Sequence, residues 1–145
     1  MAIRDIRLAG DEILRKVSEP VKELTPEITE LINDMFDTMY ELDGAGLAAP
    51  QVGVSLRILV ADVGDNKQIC LINPVLEKEE MRQYTNEKCL SFPGVRRKLR
   101  RPCHIIVKGL DRDFKEITID TYGELARCIC HEIDHLDGIL FTDRN

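Results

Sequence analysis

No run of 20 consecutive apolar residues occurs in the 145-residue chain, so a membrane-crossing helix is excluded. The N-terminal Met1-Ala2-Ile3-Arg4-Asp5 lacks both the apolar segment and the cleavage site of a secretory signal, and the cytoplasm is the expected compartment. Cysteine is sparse and odd in number. Five thiols at 70, 89, 103, 128 and 130 cannot make a full disulfide framework, and they are left for metal ligation or core packing. A surplus of basic charge is absent too: 26 acidic against 20 basic residues give a net charge of -6, which disfavours nonspecific nucleic-acid binding. One local exception is Arg96-Arg97-Lys98-Leu99-Arg100-Arg101, read either as a solvated strand or loop or as a contact for phosphate or peptide. No glycine-rich loop follows a strand signal and no internal repeat is visible, so nucleotide binding and solenoid architectures have no support.

The remainder, 43% apolar and 32% charged, describes one globular domain over 1–145 that buries roughly two thirds of its unfolded surface. Residues 11–23 carry a short helical pattern through Ile13, Leu14 and Val17, ended by Pro20, and are expected to form a packed arm. Thr25 is a helix N-cap, Pro26 suits the first helical position, and Ile28, Leu31, Ile32, Met35, Met39 and Leu42 recur at three and four. That amphipathic helix should stop at Asp43-Gly44, with Met35 and Met39 in the core. Two β-branched hairpins are expected, 56–63 with 69–76 and 104–110 with 115–120, with Pro74 marking an edge or strand end and His104 a structural residue. A capping box over 121–124 would open the last helix, which closes at Gly138. The fold class is therefore α+β: antiparallel sheets packed around a C-terminal metal-binding helix, with a long N-terminal amphipathic helix.

Two of the three histidines flank a carboxylate in His131-Glu132-Ile133-Asp134-His135. Four residues on a helix turn by only about 40° from one full revolution, so both imidazoles project from one face and can bind one ion. Glu132 flanks that face, placed for a general base, and the competing reading is an amphipathic helix with two ordinary histidines. Gly44-Ala45-Gly46-Leu47-Ala48-Ala49-Pro50-Gln51 is small and apolar, which suits either a turn or a backbone closely approached by something else. Cys89, in Glu87-Lys88-Cys89-Leu90-Ser91, is either inert packing or a thiolate ligand.

Together these three segments resemble the motifs of peptide deformylases, G-x-G-L-A-A-x-Q, E-G-C-L-S and H-E-x-D-H, in the same order and across almost the whole chain. The resemblance implies a hydrolase that removes the formyl group from the N-terminal formylmethionine of newly made proteins. Its partners are N-formylmethionyl nascent peptides and, transiently, the ribosome that presents them. Carried over by position, it implies Cys89, His131 and His135 as metal ligands with water in the fourth place. The metal is usually Fe2+ in the family, with Zn2+, Ni2+ or Co2+ also accepted. It further implies that metal-bound water attacks the formyl carbon with Glu132 as general acid and base, and that Gln51 and the backbone N–H of Leu90 hold the oxyanion. Gly44, Ala45 and Gly46 would pair with the substrate backbone, Arg127 and Cys128 would line the methionine pocket, and Arg96 would face the substrate. Arg101 would partner Asp134.

Lys88 stands where the family pattern has glycine, and Cys130 where glutamine is frequent; at about 100° from His131 around the helix, Cys130 is read as packing. Lys88 motivates an alternative, a weakened homologue that binds formylated or acetylated N-termini without efficient turnover. A zincin-type protease would share His-Glu-x-x-His but differ in its third ligand, and a structural zinc module would need a fourth protein ligand.

Overall fold

The computed structural model describes residues 2–144. Its first α-helix, α1, spans Pro26–Glu41, so the expectation of a long helix at the N-terminus is corrected: the preceding arm is largely extended, with a single 3-10 turn at Glu12–Arg15. Of Ile13, Leu14 and Val17, which carried the expected helical pattern, only Leu14 is buried, whereas Val17 is 66% exposed. The Thr25 side chain accepts from the Ile28 N–H and Pro26 occupies the first turn. At the other end Asp43, rather than Gly44, takes the left-handed conformation with φ 55°, and the Gly44 N–H closes on the Met39 carbonyl.

Both expected hairpins form, as the β2–β3 and β4–β5 pairs of one five-stranded antiparallel sheet in the order β1 (Gly46–Ala48), β2 (Ile58–Ala61), β3 (Ile69–Cys89), β4 (Phe92–Leu110) and β5 (Glu116–Tyr122). Side chains alternate across a strand, and here both faces are covered. Ile58, Val60 and Ile72 pack with Leu31, Ile32, Met35 and Met39 of α1. Their neighbours Leu59 and Leu71 pack on the opposite face, with Ala126, Ile129, Cys130, Ile133 and Leu136 of α2 (Gly123–Leu136). That explains why all four β2 residues are buried. Each fully buried aliphatic side chain stabilises the fold by about 1.5–3 kcal/mol relative to exposure.

The long β3–β4 hairpin is the main departure from the sequence reading. Pro74 lies inside β3 at a register shift between Ile72 and Val75, where an interrupted ladder demands no donor from it. Beside it, Asn73 at φ 53° exchanges two 2.8 Å hydrogen bonds with the backbone of Val21 and so ties down the arm. No capping box opens α2: Thr121 is in the β5 ladder opposite Ile105, and Tyr122 caps without a side-chain bond. Helix α2 ends at Leu136, and Gly138 just beyond it takes the left-handed conformation, with φ 72°.

Candidate metal centre

Three elements converge beside α2. Its core-facing flank is apolar, which leaves His131, Glu132 and His135 buried on the flank toward β1 and the turn after β3. Cys89 ends β3, and its Sγ lies 3.3 Å from Nε2 of His135. One ligand atom each from Cys89, His131 and His135 falls within 4.8 Å of the other two, the one such group of three among the described residues. Tetrahedral coordination with bonds of about 2.0–2.3 Å needs donors about 3.3–3.8 Å apart, so the set fits a divalent cation with three protein ligands and an open position. Nδ1 of His131 donates to Oε1 of Glu87 at 2.8 Å, which fixes the ring and leaves Nε2 for a ligand role.

Behind this bond runs a buried chain of alternating charge. Arg101, only 2% exposed, donates to both Glu87 oxygens at 2.9 and 3.1 Å and to Asp134 at 2.5 Å, and Arg144 grips Asp134 at 2.6 and 2.7 Å. Burial opposes ionisation of Glu87, but the bonds from His131 and Arg101 prevail and hold its pKa at about 2. The same balance governs His131: burial lowers it, yet contacts with Cys89, Glu132 and Glu87 raise it to about 10. His135, buried and facing His131 and Arg101, is lowered to about 3. Burial lifts Glu132 to about 7, against the pull of His131. Oε1 of Glu132 and Nδ1 of His135 are buried without a hydrogen-bond partner, and a native carboxylate oxygen left so marks a place where water or substrate belongs.

Gln51, in the 3-10 turn Ala49–Val52, accepts from the Ala48 N–H at 3.0 Å, so its amide nitrogen is the end left to donate. That nitrogen donates to Ser91 Oγ at 3.1 Å and sits 3.6 Å from Cys89 Sγ. The arm braces both loops: Arg7 N–H reaches the Gln51 carbonyl and Ala9 N–H the Ser91 carbonyl, at 2.7 and 2.8 Å. Leu90 follows Cys89 and lines the same cleft, whose volume is about 1010 Å³. Gly44, Ala45, Gly46, Arg127 and Cys128 line it as well. Close approach explains Gly46, because a Cβ there would lie 2.6 Å from Cys128 Sγ and 2.7 Å from Glu132 Oε2. The Cys128 thiol donates to the Ala45 carbonyl at 3.3 Å.

Arg96 is exposed on β4, directly opposite Lys88 at the cleft rim. Cys130 is buried in the core, as expected of packing. Lys88 has extended backbone in β3 opposite Arg96, just before the register shift at Cys89, with an exposed side chain at the cleft, so lysine fits there without a left-handed conformation. Sequence reasoning assigned no role to Glu87, Ser91 or Arg144. For Glu87 a signal existed, since residues 85, 87 and 89 share one strand face with the cysteine.

The sequence pattern of the polypeptide deformylase family matches residues 3–145. A peptide deformylase of Acetivibrio thermocellus is 51% identical over 144 residues, covering 99% of this chain and 84% of that protein. Among solved structures, a peptide deformylase from Legionella pneumophila superposes with a TM-score of 0.96 at 45% identity, covering 99% of this chain and 86% of that one. That of Ehrlichia chaffeensis, solved in complex with actinonin, gives 0.97 at 38% identity over 100% of this chain and 90% of that one. With its family pattern, fold and nearly full-length similarity in agreement, this chain belongs to the peptide deformylase family.

Proposed function

We propose that the chain is a metal-dependent amide hydrolase that removes the formyl group from N-formylmethionyl peptides. Its substrates are newly made chains, met in the cytoplasm in transient contact with the ribosome. The observation that carries this reading is Glu132, whose buried, unpartnered oxygen stands beside a Cys89-His131-His135 donor set. We assign Fe2+ to those donors by family resemblance, with Zn2+, Ni2+ or Co2+ able to take the same mixed thiolate and imidazole set. When bound, such a cation supplies Lewis acidity and makes a strong nucleophile from water near neutral pH.

The rest is the work of side chains. Glu132, with its pKa raised to about 7, takes the proton of the attacking water and returns it to the leaving amine. The Gln51 amide and the Leu90 N–H meet the negative charge that develops on the formyl oxygen, dipoles held in place before the reaction begins. Gly44 to Gly46 present an edge-strand backbone to the peptide, and Arg127 with Cys128 walls the methionine side chain. Glu87 keeps His131 oriented throughout.

The weakened-homologue alternative drew on Lys88, but that residue keeps an extended backbone and an exposed side chain, so it lends the alternative no support. Formate release from a formyl-Met tripeptide tests the proposal. Activity should vanish on metal removal, return with stoichiometric metal, and be lacking on the N-acetyl analogue; a fully metallated protein that releases no formate would sink it.

A further inference from the structure

The far end of the β3–β4 hairpin carries a charge pattern for which deformylation has no use. Tyr84 faces Arg100 across the ladder, Asn86 faces Lys98, and Lys88 faces Arg96. Direct partners share a face, and all six are exposed, while Thr85, Glu87, Cys89, Arg97, Leu99 and Arg101 turn inward. The outer face thus carries four cations and no acid, on a chain whose net charge is -6. None of the four forms an ion pair among the described residues, and each acid of the hairpin is engaged elsewhere: Glu77 with Lys108, Glu79 with Arg82, Glu80 with His104 and Glu87 with Arg101. Lys88 directly opposite Arg96 is a like-charge pair, which destabilises a sheet unless something anionic lies over it. Alternate residues of a strand are about 7 Å apart, so Arg96, Lys98 and Arg100 make a regular cationic row.

Tyr84 gives the row an aromatic surface. Lys98 Nζ lies 5.2 Å and Arg100 Cζ 5.9 Å from its ring centroid, yet the residue is 65% exposed. Arg100 also borders a hollow of about 330 Å³ with Arg82, Arg144 and Asp143. This face begins at the rim of the peptide site and runs outward from it. Tyr84, Asn86 and Lys88 form part of the cleft wall, whereas Arg96, Lys98 and Arg100 do not. A short peptide bound in the cleft passes only the first of these cations. A ligand that uses all four must be a longer polyanion running outward from the rim.

We propose that this face binds single-stranded RNA without regard to sequence, with phosphates on Lys88, Arg96, Lys98 and Arg100 and a base stacked on Tyr84. A cationic track combined with an aromatic platform is the combination that single-stranded nucleic acids require, and an acidic protein has no use for the stacking surface. The choice of RNA over DNA rests on the proposed function, because a newly made chain is met beside RNA. The local row outweighs the net negative charge because exposed charges beyond about 10 Å are screened.

The test is fluorescence anisotropy of a labelled mixed-sequence RNA of about 12 nucleotides, titrated with the metal-loaded enzyme between about 50 and 200 mM salt. Binding at about 10⁻⁴–10⁻⁶ M is expected near physiological salt; four phosphates give a log–log salt slope of about -3, a loss of about 50-fold over that range. The double variant Lys98→Gln/Arg100→Gln should halve the slope to about -1.4 while hydrolysing an uncharged formyl-Met peptide at the parent rate, which shows its fold and cleft to be intact. Tyr84→Ala should weaken binding about tenfold with the slope unchanged. Three results would each overturn the proposal: no anisotropy change at the lowest salt, binding indifferent to the double variant, or an acidic peptide of equal charge competing as well as unlabelled RNA. Binding is read without turnover, so a parent that releases no formate counts against the deformylase reading alone.

Discussion

Gly46→Ala isolates the fit between the edge strand and α2. The added methyl would lie 2.6 Å from Cys128 Sγ, 2.7 Å from Glu132 Oε2 and 3.1 Å from Glu132 Cγ, so carbon and its neighbours must separate by about 1 Å to reach ordinary contact. Overpacking of this size costs about 1–3 kcal/mol, which for a chain of this length lowers the melting temperature by roughly 3–10 °C. Activity should fall further than stability suggests, since a reacting group misplaced by about 1 Å loses about 10²-fold. Formate release and thermal unfolding are to be measured on the same metal-loaded sample, with Cys128→Ala added as a second step. Removing the sulfur relieves the shorter clash, so the double variant should recover stability, but its activity should stay low because Glu132 is still displaced. Gly46→Ala with parental kcat/KM and full metal would refute the reasoning, as would recovery of activity by Cys128→Ala.

Glu132→Gln should keep metal and fold and lose about 10²–10⁴-fold in turnover; comparable turnover at full metal content removes Glu132 from the chemistry. Arg101→Leu leaves Glu87 and Asp134 buried without their shared partner, and urea unfolding should show a loss of about 3–5 kcal/mol; an unchanged midpoint would contradict the buried ionic chain. His104 is held between Asp120 and Glu80 at 2.6 and 2.5 Å, and these bonds raise its pKa above 6.5. Its contribution is therefore full below about 6.5 and lost as pH rises through the raised value, so the stability gap between parent and His104→Gln should be wider at about pH 6 than at about pH 9. With iron bound, peroxide should inactivate the enzyme through oxidation at Cys89, since burial holds Cys70 and Cys130 as thiols up to about 12 and also raises Cys128. Peptide mass spectrometry that finds Cys70 and Cys130 oxidised as fast as Cys89 would contradict this order.

The parts that were legible in the sequence are those written by periodicity or by local spacing. Leu31, Ile32, Met35 and Met39 marked α1 because a helix must repeat its apolar face, and His131 with His135 marked one face of α2 for the same geometric reason. The outer two thirds of the β3–β4 hairpin were not legible. Beyond Leu76 its residues are mostly polar or charged and show no sustained alternation, and its ladder is completed by tertiary contacts such as Glu87 with Arg101, which no short-range pattern records. That blind spot bears directly on the site. Cys89 is placed by the end of this hairpin, and Glu87 and Arg101 reach α2 only because the two strands stay in register that far. The hairpin therefore does two jobs with its two faces: the inner one carries the charges that orient His131 and anchor Asp134, and the outer one collects the unpaired cations. Alternation alone keeps the two sets apart, so a one-residue slip of β4 would bring Lys98 and Arg100 toward α2 and expose Leu99 and Arg101. The register shift between Lys88 and Cys89 lies at the far end of this ladder, where the chain leaves the regular pairing and turns Leu90 into the cleft.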